Sequence, residues 1–321
     1  MTARQLDGRL DSLLTTMADG FSTSPRSPVL RSPAEYGLAY EDVEFPAEDG
    51  TPLRGWFVPS PGADSVVIVN HPRWFSRSGL PAQFEPWRSI TAATGNDIEV
   101  DLVPDIAALH AAGHHVLAYD LRNFGRSGTA DGGLTSGGIR ESRDVVGSLD
   151  YVRSRSDLRD ATIALFSRCL GANATLFAMR RRPAEFDRVR CLVACQPLSP
   201  RMVLEQGLRR AGVDVRHLAE LDRRIAARTG YRLDDMSPVD AARAVRVPTL
   251  VYQVRDDVMT RPSDVQAIFD AMPVRAKELF WIRGTTRRFD GYRYFQREPG
   301  RILDWLARRF AVGFEPKATG E

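Results

Sequence analysis

TIALFSRCLGANA, residues 162–174, runs from an apolar strand straight into a helix. The five residues at the junction are Ser167, Arg168, Cys169, Leu170 and Gly171, in the order small–x–nucleophile–x–small. A strand that turns sharply into a helix forces its central residue into a strained conformation, and the positions two before and two after must be small. Such a turn lifts the Cys169 side chain clear of the sheet. It also places the Leu170 N–H at a helix N-terminus, where it can stabilise an oxyanion.

Outward from this segment, strands and helices alternate. Strands are expected at 65–70 (SVVIVN), 115–120 (HVLAYD), 188–195 (RVRCLVAC), 248–254 and 277–282, and helices over 101–112, 139–154, 170–181, 263–272 and 298–310. Continuous apolar strands suit a sheet covered on both faces. The alternation implies a mostly parallel sheet with helices on both faces and ligands at the carboxyl ends of its strands. Two further strand-like segments, 40–45 and 52–58, are joined by the turn Glu48-Asp49-Gly50. Two stretches exceed this plan. Residues 75–100, with Pro81, Pro86, Trp87 and Gly95, read as a long loop with little regular structure, and 199–242 as a helical lid insertion. The expected organisation is an N-terminal helix and Ser/Pro-rich connector (1–38), a core (39–198 and 243–312), the lid (199–242) and a tail (313–321). Leu6, Leu10, Leu13, Leu14 and Met17 recur at helical spacing, so the first helix packs on the body or contributes to a homodimer.

Composition narrows the function classes. The 321 residues are 43% hydrophobic and 26% charged, as in an ordinary globular protein. A net charge of +3, with no basic run interleaved with aromatics, argues against a nucleic-acid partner. Lys277 and Lys317 are the only lysines; arginine supplies the remaining basic residues, a bias that fits the high-GC coding of many bacteria. No stretch approaches the ~20 apolar residues of a membrane span, and the acidic first twenty residues lack a signal-peptide core. Cys169, Cys191 and Cys195 are too few for a disulfide framework, and the last two sit about 13 Å apart on one strand face. A reducing cytoplasm is the expected location. There is no CxxC or HExxH spacing, so neither a metal nor a cofactor is expected.

The elbow resembles that of the α/β-hydrolase superfamily, and within it the dienelactone-hydrolase-like group, where cysteine can replace serine. The resemblance covers roughly 40–310. Asn70-His71-Pro72-Arg73 is similar to the segment that supplies the second oxyanion donor; Pro72 has no N–H, so Arg73 is the candidate. Asp120, Arg122, Gly125 and Ser127 match the signature after the fourth strand of the family. Asp257 falls where the triad acid belongs, with Asp256 one place off. The resemblance thus implies an α/β-hydrolase fold with a helical lid and a small-molecule acyl substrate.

The chain departs from the family where the triad histidine should follow the last strand. It reads Thr285-Thr286-Arg287-Arg288-Phe289-Asp290-Gly291-Tyr292, with an arginine, Arg287 or Arg288, at the aligned position. A guanidinium cannot be a general base. A cysteine nucleophile can tolerate this, because a helix N-terminus and nearby cations favour a standing thiolate. Arg168, Arg287 and Arg288 are the candidate cations, and His71 is the substitute base; the alternative for His71 is to tie its loop to the sheet. His110, His114 and His115 lie remote from the expected site. Asp257 could pair with Arg288 as a structural bridge. Trp74, Phe75, Trp87 and Tyr292 either line an apolar cleft or pack in the core or lid.

These residues carry three readings. The first is an enzyme with Cys169 as nucleophile on an ester, thioester or lactone, including anionic substrates. The oxyanion would be held by Leu170 and Arg73, and Asp257, Arg288 and His71 would assist. The second is a non-hydrolytic enzyme, an acyltransferase, lyase or cyclase, for instance in secondary metabolism. The third is a non-catalytic protein that has abandoned the triad.

Overall fold

The computed structural model describes residues 3–311, with side chains from Gly8 onward, so the 313–321 tail lies outside the described residues. Among the described residues ten strands form: β1 (Glu41–Pro46), β2 (Pro52–Val58), β3 (Ser65–Asn70), β4 (Gly79–Leu80), β5 (Val100–Asp101), β6 (His115–Tyr119), β7 (Thr162–Arg168), β8 (Val189–Cys195), β9 (Thr249–Val254) and β10 (Lys277–Ile282). The helices are α1 (Ala3–Ser22), α2 (Trp87–Ala92), α3 (Val103–Ala111), α4 (Ser142–Ser154), α5 (Leu170–Arg181), α6 (Pro200–Arg210), α7 (Leu218–Thr229), α8 (Pro238–Ala242), α9 (Pro262–Ala271), α10 (Arg288–Tyr292), α11 (Tyr294–Arg297) and α12 (Gly300–Ala311).

Eight strands make one sheet in the order β1-β2-β6-β3-β7-β8-β9-β10. Only β2 runs against the others. Strand alternation divides the core in two. In β3, Val66 and Ile68 join Leu149, Leu176 and Ile268 of α4, α5 and α9 on one face. Val67 and Val69 join Ile106, Ile302 and Trp305 of α3 and α12 on the other. Every residue of β3 is buried, which is why its sequence is unbroken apolar from Val66 to Val69. Each buried Val or Ile contributes roughly 1.5–3 kcal/mol.

The stretch 75–100 is more regular than its prolines suggest. It holds α2 and the β4 half of a small antiparallel pair with β5. A Cβ on Gly79 would stand 2.0 Å from the Val100 carbonyl oxygen, so only glycine allows this pairing. The helix expected from 101 starts instead at Val103, because Asp101 enters β5 and its carboxylate accepts the Val103 N–H at 2.9 Å.

The insertion 199–242 is largely helical; α7 packs against α1, and α6 joins both in one apolar cluster. Leu14, Ala18 and Phe21 of α1 share a third apolar cluster with Leu204, Leu208, Leu221 and Ile225. Apolar side chains of α1 from Leu10 to Phe21 therefore face α6 and α7 of the same chain. Within the insertion, α8 belongs to the main body: Ala241 and Ala242 sit in the core beside α5 and α9.

Candidate active site

Cys169 sits at the end of β7 with φ 49° and ψ −109°, a strained conformation for a residue with a side chain, worth about 1–3 kcal/mol. Its neighbours have the sizes that the bend demands. Ser167 is fully buried, accepting from Asn70 Nδ2 at 2.8 Å and lying 2.8 Å from Thr175 Oγ1. A Cβ on Gly171 would come within 2.7 Å of Asn70 Cβ and its carbonyl oxygen. The bend is pinned by the Cys169 N–H on Cys195 O at 2.8 Å, and the first bond of α5 runs from Asn173 N to Cys169 O at 2.9 Å. Cys169 is half-buried on the floor of a small cleft of about 90 Å³.

The cleft is mostly apolar. Phe21 reaches it from α1, Trp74 from the turn after β3, Val203 from α6, Met259 from the loop after β9, and Phe289 and Tyr292 from α10. Leu170 and Arg73 also line it. Leu170 is the first residue of α5, so its N–H has no acceptor within the helix. Residues 72–75 form a tight turn closed by the Phe75 N–H on Pro72 O at 3.4 Å, with Trp74 at φ 71°.

The Arg73 side chain does something else. Its Nη2 donates to the carbonyls of Gly20, Phe21 and Thr23 at 2.9, 2.6 and 3.1 Å, and its Nε to Ser24 Oγ at 3.1 Å. It thus caps the carbonyl end of α1, where a cation meets the helix dipole favourably. Burial pulls its pKa down to about 10, against the pull of Cys169 and Glu141, and it remains charged at neutral pH.

Of the two candidate arginines after β10, only Arg288 faces the cleft. Its Nη1 donates to Asp257 Oδ2 at 2.7 Å, its Nε to Tyr292 Oη at 2.7 Å, and its Nη2 to the Gln196 carbonyl. Asp257 also accepts from Gln253 Nε2, Thr260 Oγ1 and Met259 N at 3.0, 3.1 and 2.9 Å. Asp257 and Arg288 therefore meet as a buried ion pair at 2.7 Å. Tyr292 lines the cleft with Cys169; burial pushes its pKa well above the ordinary range, so it is a neutral phenol.

Several expectations need correction. His71 does not reach the cleft as a base: its Nδ1 is 2.6 Å from Pro72 O, and its Nε2 accepts the Leu121 N–H at 2.9 Å. With both nitrogens committed to backbone, the ring ties the loop after β3 to the chain after β6. Arg168 points away, because strand alternation sends it to the same face as Phe166; it pairs with buried Asp105 of α3 and stacks 3.8 Å from the Phe166 ring. Arg287 is exposed beside Asp256 in a separate surface groove. Trp87 packs on the core under α2 and does not line the cleft. Phe75 is wholly buried, edge-on to Phe289 and Tyr292.

Two contributors escaped the sequence reading. Phe21 comes from α1, and no local signal links that helix to the elbow. Gln196, at φ 53°, follows β8 and clamps Arg288: its carbonyl accepts Nη2, and its Nε2 donates to Arg288 O at 2.7 Å. Its place one residue beyond a strand's carboxyl end was the available signal. Asp120 and Arg122 of the fourth-strand signature hold the frame. Asp120 pairs with Arg77, and Arg122 with Asp144 at 2.7 Å and Asp49 at 2.9 Å.

The strand order, the single reversed strand and the elbow at the end of β7 define an α/β-hydrolase fold. An esterase from Pyrococcus furiosus superposes with a TM-score of 0.63 at 18% identity, covering 90% of this chain and 97% of that one. A dienelactone hydrolase from Anabaena variabilis gives 0.50 at 16% identity over 84% and 98%. In sequence, the chain is 25% identical over 275 residues to a polyketide transferase of Aspergillus fumigatus, covering 76% of this chain and 89% of the relative. No family model matches.

Proposed function

We propose that the protein is an enzyme in which Cys169 attacks the carbonyl carbon of an activated acyl group, an ester, thioester or lactone, and carries the acyl chain as a thioester. The observation that carries this reading is the strained backbone of Cys169, which holds an accessible sulfur beside an unspent helix N-terminus. In this reading the Leu170 and Arg73 N–H groups receive the oxyanion. The apolar walls suit an aliphatic or aromatic acyl chain. Arg288, held by Asp257, keeps positive charge beside the sulfur. The hydrolase-fold neighbours and the transferase relative favour an enzyme of the hydrolase or acyltransferase type.

Incubation with p-nitrophenyl butanoate followed by intact-mass measurement should show one butanoyl group on Cys169. Cys169→Ala should lose the adduct and turnover together. Full turnover by C169A would remove the nucleophilic role.

A second reading, transfer in place of hydrolysis, is favoured by one observation. No histidine is among the residues lining the cleft, and Arg288 stands where the water-activating base would be. The acyl-thioester should therefore resist water and yield to an incoming alcohol, amine or thiol. Adding such acceptors should raise p-nitrophenol release well above the rate in water alone, with acylated acceptor accumulating. An acyl-enzyme that clears as fast without acceptor would return the assignment to hydrolysis.

A further inference from the structure

We propose that this site exchanges acyl groups between anions: the departing group leaves, and the acceptor arrives, as a thiolate or phenolate held against Arg288. The inference rests on the nucleophilic role proposed for Cys169 and names the class of its reaction partners. Its ground is the set of charges around the cleft. Among the described residues lining it, Arg73 and Arg288 are the basic ones, and no aspartate, glutamate or histidine is present to remove a proton. The Arg73 guanidinium is spent on the carbonyls of Gly20, Phe21 and Thr23. Arg288 lines the cleft and Asp257 does not, so this pair turns its positive end to the cleft. Three of the five Arg288 N–H groups are engaged, by Asp257, Tyr292 and the Gln196 carbonyl, and two remain for a ligand. Asp257 divides its own charge among Arg288, Gln253, Thr260 and the Met259 N–H, so it offsets the guanidinium only in part.

An acceptor that must shed a proton in order to attack finds no base in such a cleft. One that is already ionised needs none, and a guanidinium offsets the cost of bringing its charge between apolar walls. In acylation the Cys169 thiolate forms the C–S bond, the bond from the acyl carbon to the leaving oxygen or sulfur breaks, and the leaving atom keeps the electron pair. In transfer the incoming thiolate or phenolate bonds to the thioester carbon, the C–S bond breaks, and its electron pair returns to the sulfur. One negative charge changes place in each half-reaction, and no proton moves. Thiols ionise near pH ~8.5 and phenols near ~10, so both supply anions close to neutrality where alkyl alcohols do not. Of the acceptors open to the transfer reading, thiols and phenols are therefore the class this site selects.

The test combines Arg288→Gln with Asp257→Asn, which removes both buried charges together and strands neither. Wild type and the double variant are each loaded with butanoyl from p-nitrophenyl butanoate, then chased with phenylmethanethiol or benzylamine. The two acceptors share ring and chain, and the amine attacks as a neutral molecule, so the comparison isolates acceptor charge. The double variant should lose about 10²-fold more rate with the thiol than with the amine. An equal or smaller loss with the thiol would mean a structural role for the pair and would overturn the inference, as would wild-type rates with both. If the double variant does not fold, the wild-type protein supplies the readout. Benzoate should slow iodoacetamide alkylation of Cys169 at concentrations where benzamide has no effect, and equal protection by the two would overturn the inference. No butanoyl adduct on wild-type Cys169 would remove the nucleophilic reading itself, and this inference with it.

Discussion

At the scale of single residues, the site is governed by where charges and protons can go. The Asp257 and Arg288 side chains are 0% and 2% exposed, so each is the buried counter-charge of the other. Arg288→Ala should cost about 3–5 kcal/mol in urea unfolding, because it strands a buried carboxylate. Adding Asp257→Asn to that variant should recover part of the loss, a coupling that a double-mutant cycle reads directly. His71 shows the opposite device. Burial lowers its pKa below the ordinary 6.5, with Asp120 pulling it up and Arg77 opposing, so the folded ring stays neutral. As pH falls through 6.5 the unfolded chain gains a proton on this ring that the folded chain does not. The unfolded state then binds more protons, and stability drops with acidification. His71→Asn should flatten that limb of the stability profile relative to wild type, measured by urea midpoints from pH 7.5 to 5. Identical slopes in the two proteins would show that His71 titrates as freely folded as unfolded.

At the scale of elements, the β7–Cys169–α5 bend depends on what cannot be there. Gly171→Ala would place a methyl 2.7 Å from Asn70, and both sides of that contact are braced by the Asn70, Ser167 and Tyr119 hydrogen bonds. We expect a loss of about 1–3 kcal/mol, with slower alkylation of Cys169 by iodoacetamide as the bend distorts. An unchanged melting temperature would show that the elbow has slack. The junction between α1 and the turn after β3 behaves differently, because it is held by one residue. Arg73→Gln removes most of the donors from the last carbonyls of α1. Hydrogen exchange over residues 8–22 should quicken, while the central strands keep their protection.

At the scale of the molecule, two α/β cores carry the sheet and a third apolar cluster holds the cap to α1. The visible ion pairs across that third interface, Arg224 with Asp11 and Arg228 with Asp19, leave their carboxylates largely exposed and are worth about 0–1 kcal/mol each. High salt should therefore leave the cap in place. Leu14→Ala, at a residue 2% exposed, should cost about 2–5 kcal/mol locally and open the cleft. The check is faster iodoacetamide labelling of Cys169 without a matching fall in the unfolding midpoint of the sheet. Equal labelling would mean that α1 does not govern access.

The bend at Cys169 and the sheet were readable from the chain, because each rests on local rules. A buried parallel strand must be apolar, a strand-to-helix bend must be flanked by small residues, and strand ends mark where ligands gather. Side-chain direction was not readable, and it decided the chemistry. Arg168 adjoins Cys169 in sequence yet faces α3, since neighbours on a strand point to opposite faces. Arg288 and Arg287 are equivalent on paper; one turn of α10 buries the first against Asp257 and leaves the second in solvent. Tyr292 could be cleft wall or packing on paper; the fold sets its hydroxyl 2.7 Å from Arg288 Nε in the cleft. Phe21 joined the cleft only through packing across nearly the whole chain. Sequence determines which backbone shapes are affordable; the meeting of distant side chains, each needing a partner for its charge or proton, is settled only when the tertiary fold brings them within hydrogen-bond reach.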